Sequence, residues 1–283
     1  MENLAGRTAF VTGGASGIGL ALGRAFAEVG MNVMLADIEA DALTLAVGSL
    51  DGIGPGVRGI NCDVTDSTSM ERAAAACEAA FGNIHVLCNN AGVAAGSGID
   101  AISLETWRWV LDVNVFGVLH GIQAFLPRIR AHGEGGHIVT TASMAGLNSG
   151  LGFSPYSASK FAVINMSEGL AKQLVPLGIG VTILCPGFVR TRIPESARNR
   201  QVRYGSVIAP APASPEGQLT AHLAELNQAG LDPIDVAYQV LEAIREDQLY
   251  VFTHPDGTWQ AEVKERSDTI LASMEAAATR LKN

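Results

Sequence analysis

Cysteine is scarce in this chain of 283 residues, and Cys62, Cys77, Cys88 and Cys185 show no Cys-x-x-Cys spacing. That excludes a disulfide scaffold and a thiolate zinc site. Three of the four lie in or at the end of apolar, strand-like runs and read as reduced core residues. The six histidines form no His-Glu-x-x-His or similar pair, so no metal site is expected. Basic charge is also short: 19 Lys and Arg against 28 Asp and Glu give a net charge of -9. Neither nucleic acid nor an anionic membrane is therefore an expected partner. No run of about eighteen apolar residues occurs, and Met1-Glu2-Asn3-Leu4 carries no basic stretch ahead of an apolar one. These gaps predict a soluble, cytoplasmic protein whose partners are small molecules.

What the chain has in quantity is apolar sequence, 48% of residues, arranged as short β-rich runs alternating with longer helical patterns. The runs are 8–12, 32–37, 57–62, 85–89, 137–141, 181–185 and 250–252. They are apolar without strict alternation, as strands covered on both faces are, and helical crossovers fit between them. The expected fold class is α/β, a doubly wound parallel sheet of Rossmann type, in a single domain spanning 1–283. Ser154-Pro155 and Asp232-Pro233 each set a capping side chain before a proline at the first helical position, so helices start there. Residues 190–230 break the rhythm with Pro194, Pro210, Pro212 and Pro215 and are expected as a substrate-binding excursion. Residues 256–283 are expected as a C-terminal helical extension.

The turn after the first run, Thr12-Gly13-Gly14-Ala15-Ser16-Gly17-Ile18-Gly19, leads into a helical pattern. Gly13, Gly17 and Gly19 would let the backbone approach a pyrophosphate, while Ser16 and Ile18 stand where a helix N-terminus offers N–H groups. Tight β-to-α turns also need glycine for steric reasons alone. Asp37 ends the second run eighteen residues beyond Gly19, near the ~20-residue spacing at which an acid binds a ribose 2′-hydroxyl. An ionised Asp there repels a 2′-phosphate, and neither Ser16 nor Ile38 brings basic charge, so NAD is expected over NADP. A turn or capping aspartate is the plain alternative. Asp63, with Val64, follows the third run and either meets the adenine amino group or caps the next helix. Asn90 and Gly92, in Asn89-Asn90-Ala91-Gly92, end the fourth run where open sheets bind ligands, unless they only build an Asx turn.

Tyr156-Ser157-Ala158-Ser159-Lys160 places a phenol and an ammonium one helical turn apart on a single face. A free phenol has a pKa of about 10, and lowering it by ~2 to 3 units takes roughly 3 to 4 kcal/mol of preferential stabilisation of the tyrosinate. A neighbouring cation supplies that kind of stabilisation. Ser143 lies thirteen residues earlier and has a hydroxyl that can bond a reacting oxygen. No Gly-x-Ser-x-Gly surrounds it, so it is not expected as a hydrolase nucleophile.

In this order the segments resemble the short-chain dehydrogenase/reductase family, in its compact single-domain branch, across residues 5–255. The resemblance is carried by the Thr12 to Gly19 turn, Asp63, Asn89 to Gly92, Asn114 in Asp112-Val113-Asn114-Val115, Ser143, Tyr156 with Lys160, and Pro186-Gly187-Phe188-Val189-Arg190-Thr191. It implies an NAD-dependent enzyme that interconverts a secondary alcohol and a ketone on an apolar or aromatic molecule. Tyr156 is implied as general base or acid, Lys160 as holder of the nicotinamide ribose, Ser143 as partner of the substrate oxygen, and Asn114 as anchor of a water between Lys160 and solvent. Pro186, Gly187, the backbone at Val189 and the Thr191 hydroxyl are implied around the nicotinamide carboxamide. A homotetramer, or else a homodimer, is implied through the helices after Leu104 and Pro155, which carry Phe116, Leu119, Phe161, Val163 and Met166.

Met144, Leu147, Phe153 and Phe188 flank the catalytic segments as apolar candidates for a substrate pocket. Residues 185–193 and 249–255 are similar to the branch that oxidises benzylic alcohols in lignin-derived aryl ethers. Arg190, Arg192, Arg198, Arg200 and Arg203 against Glu195 alone make their segment basic, either as a solvated face or as guidance for an anionic substrate. Two rival readings stay open: an NADPH-dependent carbonyl reductase of β-ketoacyl type, and a dinucleotide-binding regulator without turnover.

Overall fold

The computed structural model describes residues 1–95, 102–148, 154–206, 211–255 and 257–281. Its strands are β1 (Thr8–Thr12), β2 (Asn32–Asp37), β3 (Gly56–Asn61), β4 (Val86–Asn89), β5 (Gly136–Thr141), β6 (Ile179–Cys185) and β7 (Tyr250–Phe252). They form one parallel sheet in the order β3-β2-β1-β4-β5-β6-β7. Along β1 the pleat sends Ala9 and Val11 into one core and Phe10 into another, so the sheet is packed on both faces. The first face is covered by α1 (Gly17–Glu28) and α8 (Pro233–Glu246), through Leu22, Phe26, Val236, Val240 and Ile244. The second is covered by α3 (Ser67–Phe81), α4 (Leu104–Leu111) and α5 (Gly117–His132), through Met70, Trp109, Phe125 and Ile129. The remaining helices are α2 (Ala40–Ser49), α6 (Pro155–Leu174), α7 (Pro215–Gln228) and α9 (Gly257–Arg280).

The doubly wound sheet expected from the sequence is present, and β1, β2 and β7 have the expected ends. β3 departs from expectation: it starts and ends one residue early, and Arg58, Gly59 and Asn61 are exposed. It is an edge strand, and full coverage on both faces does not extend to it. Ser154 and Asp232 cap α6 and α8 as their Pro-containing starts require. All four cysteines are buried and unpaired. The stretch Leu104–His132 is apolar and long enough to cross a membrane by length and composition, but half of its most apolar window is buried in this core. It reads as a core helix, interrupted by a π-turn at Asp112–Phe116.

One buried group makes the fold acid-sensitive. His137 in β5 is 1% exposed, and its Nε2 donates to Thr182 Oγ1 at 2.8 Å, which donates onward to Gln248 O at 2.7 Å. Burial pushes the imidazole pKa down from 6.5 to about 3. The unfolded chain therefore takes up this proton before the folded one does. Stability is complete above the unfolded value and falls as pH drops from 6.5 toward 3, by up to roughly 5 kcal/mol. Burial also lowers His85, in the same direction. Urea unfolding as a function of pH should show this decline, and His137→Gln, which can still donate to Thr182, should flatten it.

Candidate active site

A groove runs along the carboxyl ends of the strands, where the strand order reverses between β1 and β4. Open parallel sheets bind ligands at such a crevice. Gly13, Ser16, Gly17, Ile18, Asp37, Asp63, Val64, Asn90, Gly92, Tyr156, Lys160, Pro186, Gly187, Val189 and Thr191 all line it. Asn114 and Ser143 are absent from that lining, and so is Gly19. A Cβ there would stand 2.0 Å from Gly13 O and 2.6 Å from Asn90 Nδ2, so this glycine closes the turn against the strand ends.

The turn is built to accept an anion. Ser16 occupies the N-cap position of α1, yet its side chain makes no cap bond and no acid stands in the first turn. Asp66, Ser154, Ser214 and Asp232, by contrast, each accept a backbone N–H at the start of α3, α6, α7 and α8. The N-terminal N–H groups and positive dipole end of α1 are thus left to the groove, which suits a pyrophosphate.

At the end of the groove beside β2, Asp37 Oδ2 accepts from Ala15 N at 2.9 Å and Oδ1 from Glu39 N at 3.0 Å. Those bonds do the turn-building that the plain reading offered, and they also lock the carboxylate at the edge of the groove. Asp63 does not cap α3. Its Oδ1 accepts from Thr65 N at 2.9 Å and Thr65 Oγ1 at 2.6 Å, while Asp66 caps the helix by accepting from Thr68 N. Asn90 makes a bridge: Nδ2 donates to Thr12 O at 3.0 Å and Oδ1 accepts from Thr141 Oγ1 at 3.1 Å, joining the ends of β1, β4 and β5.

The other end of the groove holds the titratable pair. Lys160 Nζ lies 5.7 Å from the centre of the Tyr156 ring and donates to Thr141 O at 2.7 Å. Burial lowers the Lys160 ammonium to about 8 and raises the Tyr156 phenol, with the Ser143 hydrogen bond pulling the phenol the opposite way. Lys160 by itself does not offset the burial of the phenol. Ser143 is 7% exposed, stands ahead of the 3-10 turn Met144–Gly146, and accepts from Ala145 N at 3.1 Å. Asn114 sits in the π-turn, a geometry that recurs at functional positions. Its Oδ1 accepts from Val93 N at 2.9 Å, and its Nδ2 donates to Val93 O at 3.0 Å and Ser159 Oγ at 2.9 Å. Ser159 Oγ donates to Tyr156 O at 2.7 Å, so Asn114 tethers the first turn of α6 to the exit of β4.

Several residues of the site gave no signal in the sequence. Asn227 in α7 donates Nδ2 to Val189 O at 2.7 Å and accepts from Thr191 N at 3.3 Å, fastening the loop after Gly187 from 38 residues away. Trp259 in α9 stands with its ring centre 6.4 Å from that of Phe188, and Asn148 donates to Glu262 one turn later. Met144 is 4% exposed and belongs to the core, Leu147 packs partly against it, and Phe153 lies outside the described residues.

The basic segment is reassigned. Its two 3-10 stretches, Ile193–Asn199 and Val202–Tyr204, run beside Glu39 and Asp63, so the segment flanks the Asp37 end of the groove. Arg198 pairs with Glu39 at 2.9 Å, Arg192 with Glu195 at 2.9 Å, Arg190 with Asp232 at 2.5 Å and Arg203 with Asp63 at 3.5 Å. Arg200 lies 5.1 Å over Trp109 and donates to Gly205 O at 2.9 Å. Four of the five guanidiniums are paired with carboxylates, and Arg200 alone keeps neutral partners.

At the opposite, amino end of β4 and β5, ligand-type atoms of His85, His132 and Glu134 come within 4.8 Å of one another. Their lone pairs are committed. Thr8 N donates to His85 Nδ1 and Glu134 N to His132 Nδ1, while His85 Nε2, Arg7 and Asn83 all donate to the Glu134 carboxylate. The cluster is a hydrogen-bonded latch.

A sequence model of the short chain dehydrogenase family matches residues 7–202. The chain belongs to the short-chain dehydrogenase family. It is 34% identical over 257 residues to the C alpha-dehydrogenase of Sphingobium sp. (strain NBRC 103272 / SYK-6), covering 90% of this chain and 83% of that protein. A short chain dehydrogenase/reductase from Burkholderia phymatum, solved in complex with NAD, superposes with a TM-score of 0.90 at 36% identity, over 96% of this chain and 97% of that one. A short chain dehydrogenase from Burkholderia cenocepacia J2315, solved in complex with NADP, superposes with a TM-score of 0.72 at 28% identity, over 89% and 97%. As a family member this chain is an oxidoreductase that acts on small-molecule alcohols or ketones with a nicotinamide dinucleotide.

Proposed function

We propose that this dehydrogenase oxidises a secondary alcohol on an apolar or aromatic molecule, using NAD and Tyr156 as the general base. The observation that carries the reading is that Tyr156, hydrogen-bonded to Ser143, and Lys160 stand at one end of a groove whose other end presents an uncapped helix N-terminus and Asp37. NAD, when bound, supplies the hydride acceptor. Ser143 holds the substrate oxygen and stabilises the developing alkoxide, and Tyr156 takes the hydroxyl proton. Lys160 supplies positive charge to the tyrosinate and a donor to the ribose. The Asn114 amide is already spent on Val93 and Ser159, so a water link from Lys160 to solvent has to use another atom of the π-turn, such as its backbone carbonyl. A screen of aryl and alkyl secondary alcohols for NADH formation tests the reading. NADH formation from the aryl members supports it, and turnover with NADP alone contradicts it.

The substrate class draws support from the Phe188–Trp259 pair and from the similarity to the C alpha-dehydrogenase. The NADP alternative meets two acids, Asp37 and Glu39, at the ribose end, and the Arg198 guanidinium that reaches this end is already bound to Glu39. Asp37→Ala should therefore weaken NAD by ~10-fold or more, the loss of a hydrogen bond to a charged group, while NADP loses less. Titrations of both cofactors check this, and comparable affinity for the two in the unaltered protein would contradict it.

A homotetramer is part of the same proposal. Leu104, Phe116 and Phe161 are exposed at 68%, 48% and 47% on α4, the π-turn and α6, whereas Val163, expected on the same outer surface, is fully buried in the chain's own core. Such exposed apolar side chains call for a partner. Light scattering at micromolar concentration should give an oligomeric mass, and a monomer would count against it. A cytoplasmic setting completes the proposal, supported by four buried, unpaired cysteines.

A further inference from the structure

Gln201 stands between the two 3-10 stretches and lines the groove beside Asp63 and Val64. Its Nε2 donates to Asp63 Oδ2 at 3.2 Å. A carboxylate only accepts, which fixes the amide orientation and leaves Oε1 as the other end of the group. That oxygen is shielded from solvent and has no hydrogen-bond partner among the described residues. A buried acceptor left alone lowers stability unless a ligand meets it. Beside it, Asp63 Oδ1 is occupied by two short bonds from Thr65 N and Thr65 Oγ1, whereas Oδ2 has only the longer contacts to Gln201 Nε2 at 3.2 Å and Arg203 Nη2 at 3.5 Å and is the less committed oxygen.

Two adjacent acceptors at the adenosine end of a dinucleotide groove suit one chemical group, an exocyclic amine with two hydrogens. We propose that Gln201 is an adenine-recognition residue, its Oε1 and Asp63 Oδ2 together accepting the two amino hydrogens, with the segment around it closing over the adenosine half of the site. The proposal rests on the dinucleotide reading above. The segment is already held in place by contacts that leave Gln201 Oε1 untouched. Arg198 and Asn199 bind Glu39, each at 2.9 Å, and Tyr204 Oη donates to Asp112 Oδ2 at 2.7 Å. A 6-oxo purine would instead set a carbonyl lone pair against both acceptors, so the pair selects the amino base.

The test is calorimetric binding of NAD, its hypoxanthine analogue, AMP and nicotinamide mononucleotide to the unaltered protein and to Gln201→Met. Methionine keeps the length of the side chain and removes the acceptor. NAD and AMP should bind about 3- to 10-fold more weakly, the worth of one neutral hydrogen bond. Nicotinamide mononucleotide should be unaffected, and the hypoxanthine analogue should lose less than NAD does. Tyr204→Phe, which removes the bond to Asp112 that anchors the segment without touching Gln201 Oε1 or Asp63, should weaken the adenine and hypoxanthine dinucleotides alike. Unchanged NAD affinity in Gln201→Met, or an equal loss for the two bases, would overturn the proposal while leaving the dinucleotide reading intact. If the unaltered protein bound neither NAD nor AMP, the dinucleotide reading would fall and the proposal with it.

Discussion

Replacing Tyr156 with phenylalanine should lower turnover by ~10²- to 10⁴-fold, the usual worth of a general acid–base, while NAD affinity changes little. Phenylalanine keeps the ring that packs near Lys160 and removes only the hydroxyl that bonds Ser143. Among the described residues that hydroxyl bonds Ser143 alone, so the loss should appear in kcat. A loss confined to KM would mean that the phenol only helps to bind substrate.

Replacing Lys160 with methionine should reduce turnover at least as far, and should also weaken NAD by ~10- to 100-fold through the loss of a charged donor. The two effects appear together because one ammonium serves both the phenol and the ribose. Misfolding is not the expected cause. Holding Lys160 at about 8 when its unfolded value is 10.5 costs the folded state roughly 3 kcal/mol at neutral pH. Removing the charge relieves that cost and offsets the hydrogen bond lost to Thr141 O. The sign is checkable: the unfolded chain holds the Lys160 proton more tightly, so in the unaltered protein this contribution raises stability as pH climbs from 8 to 10.5. That rise should be missing in Lys160→Met. Denaturation across that range, with cofactor titration at neutral pH, separates a lost function from a lost fold.

The layout of the sheet was legible because its central strands are continuous apolar runs ending in turn residues, and β1 and β2 end where the sequence says they do. The edge strand β3 was less so, because Arg58 and Gly59 face solvent and the register there depends on pairing with β2. The local constellations were legible for the same reason: Tyr156 and Lys160, or Ser154 and Pro155, carry their geometry within one turn of helix. What stayed hidden depends on distant partners. The arginines looked like a basic face because Glu39 lies 159 residues from Arg198, and Asp63 is similarly remote in sequence from Arg203. Asn227 and Trp259 were invisible for that reason too, since each acts on the Pro186–Thr191 loop from a separate helix. The ambiguity at Asp63 was resolved by a neighbour only three residues on, Asp66, which takes the cap. Two acids before one helix can be told apart only by geometry.

The measurement that bears most directly on Tyr156 as the base is the pH dependence of kcat/KM for oxidation of a confirmed secondary alcohol, recorded side by side for the unaltered enzyme and Tyr156→Phe. The ionised phenol is the active form, so the rate of the unaltered enzyme should rise with pH through one apparent pKa, and that limb should be absent from the residual rate of the variant. Near-normal turnover in Tyr156→Phe with the same rising limb would contradict the account and move the base elsewhere.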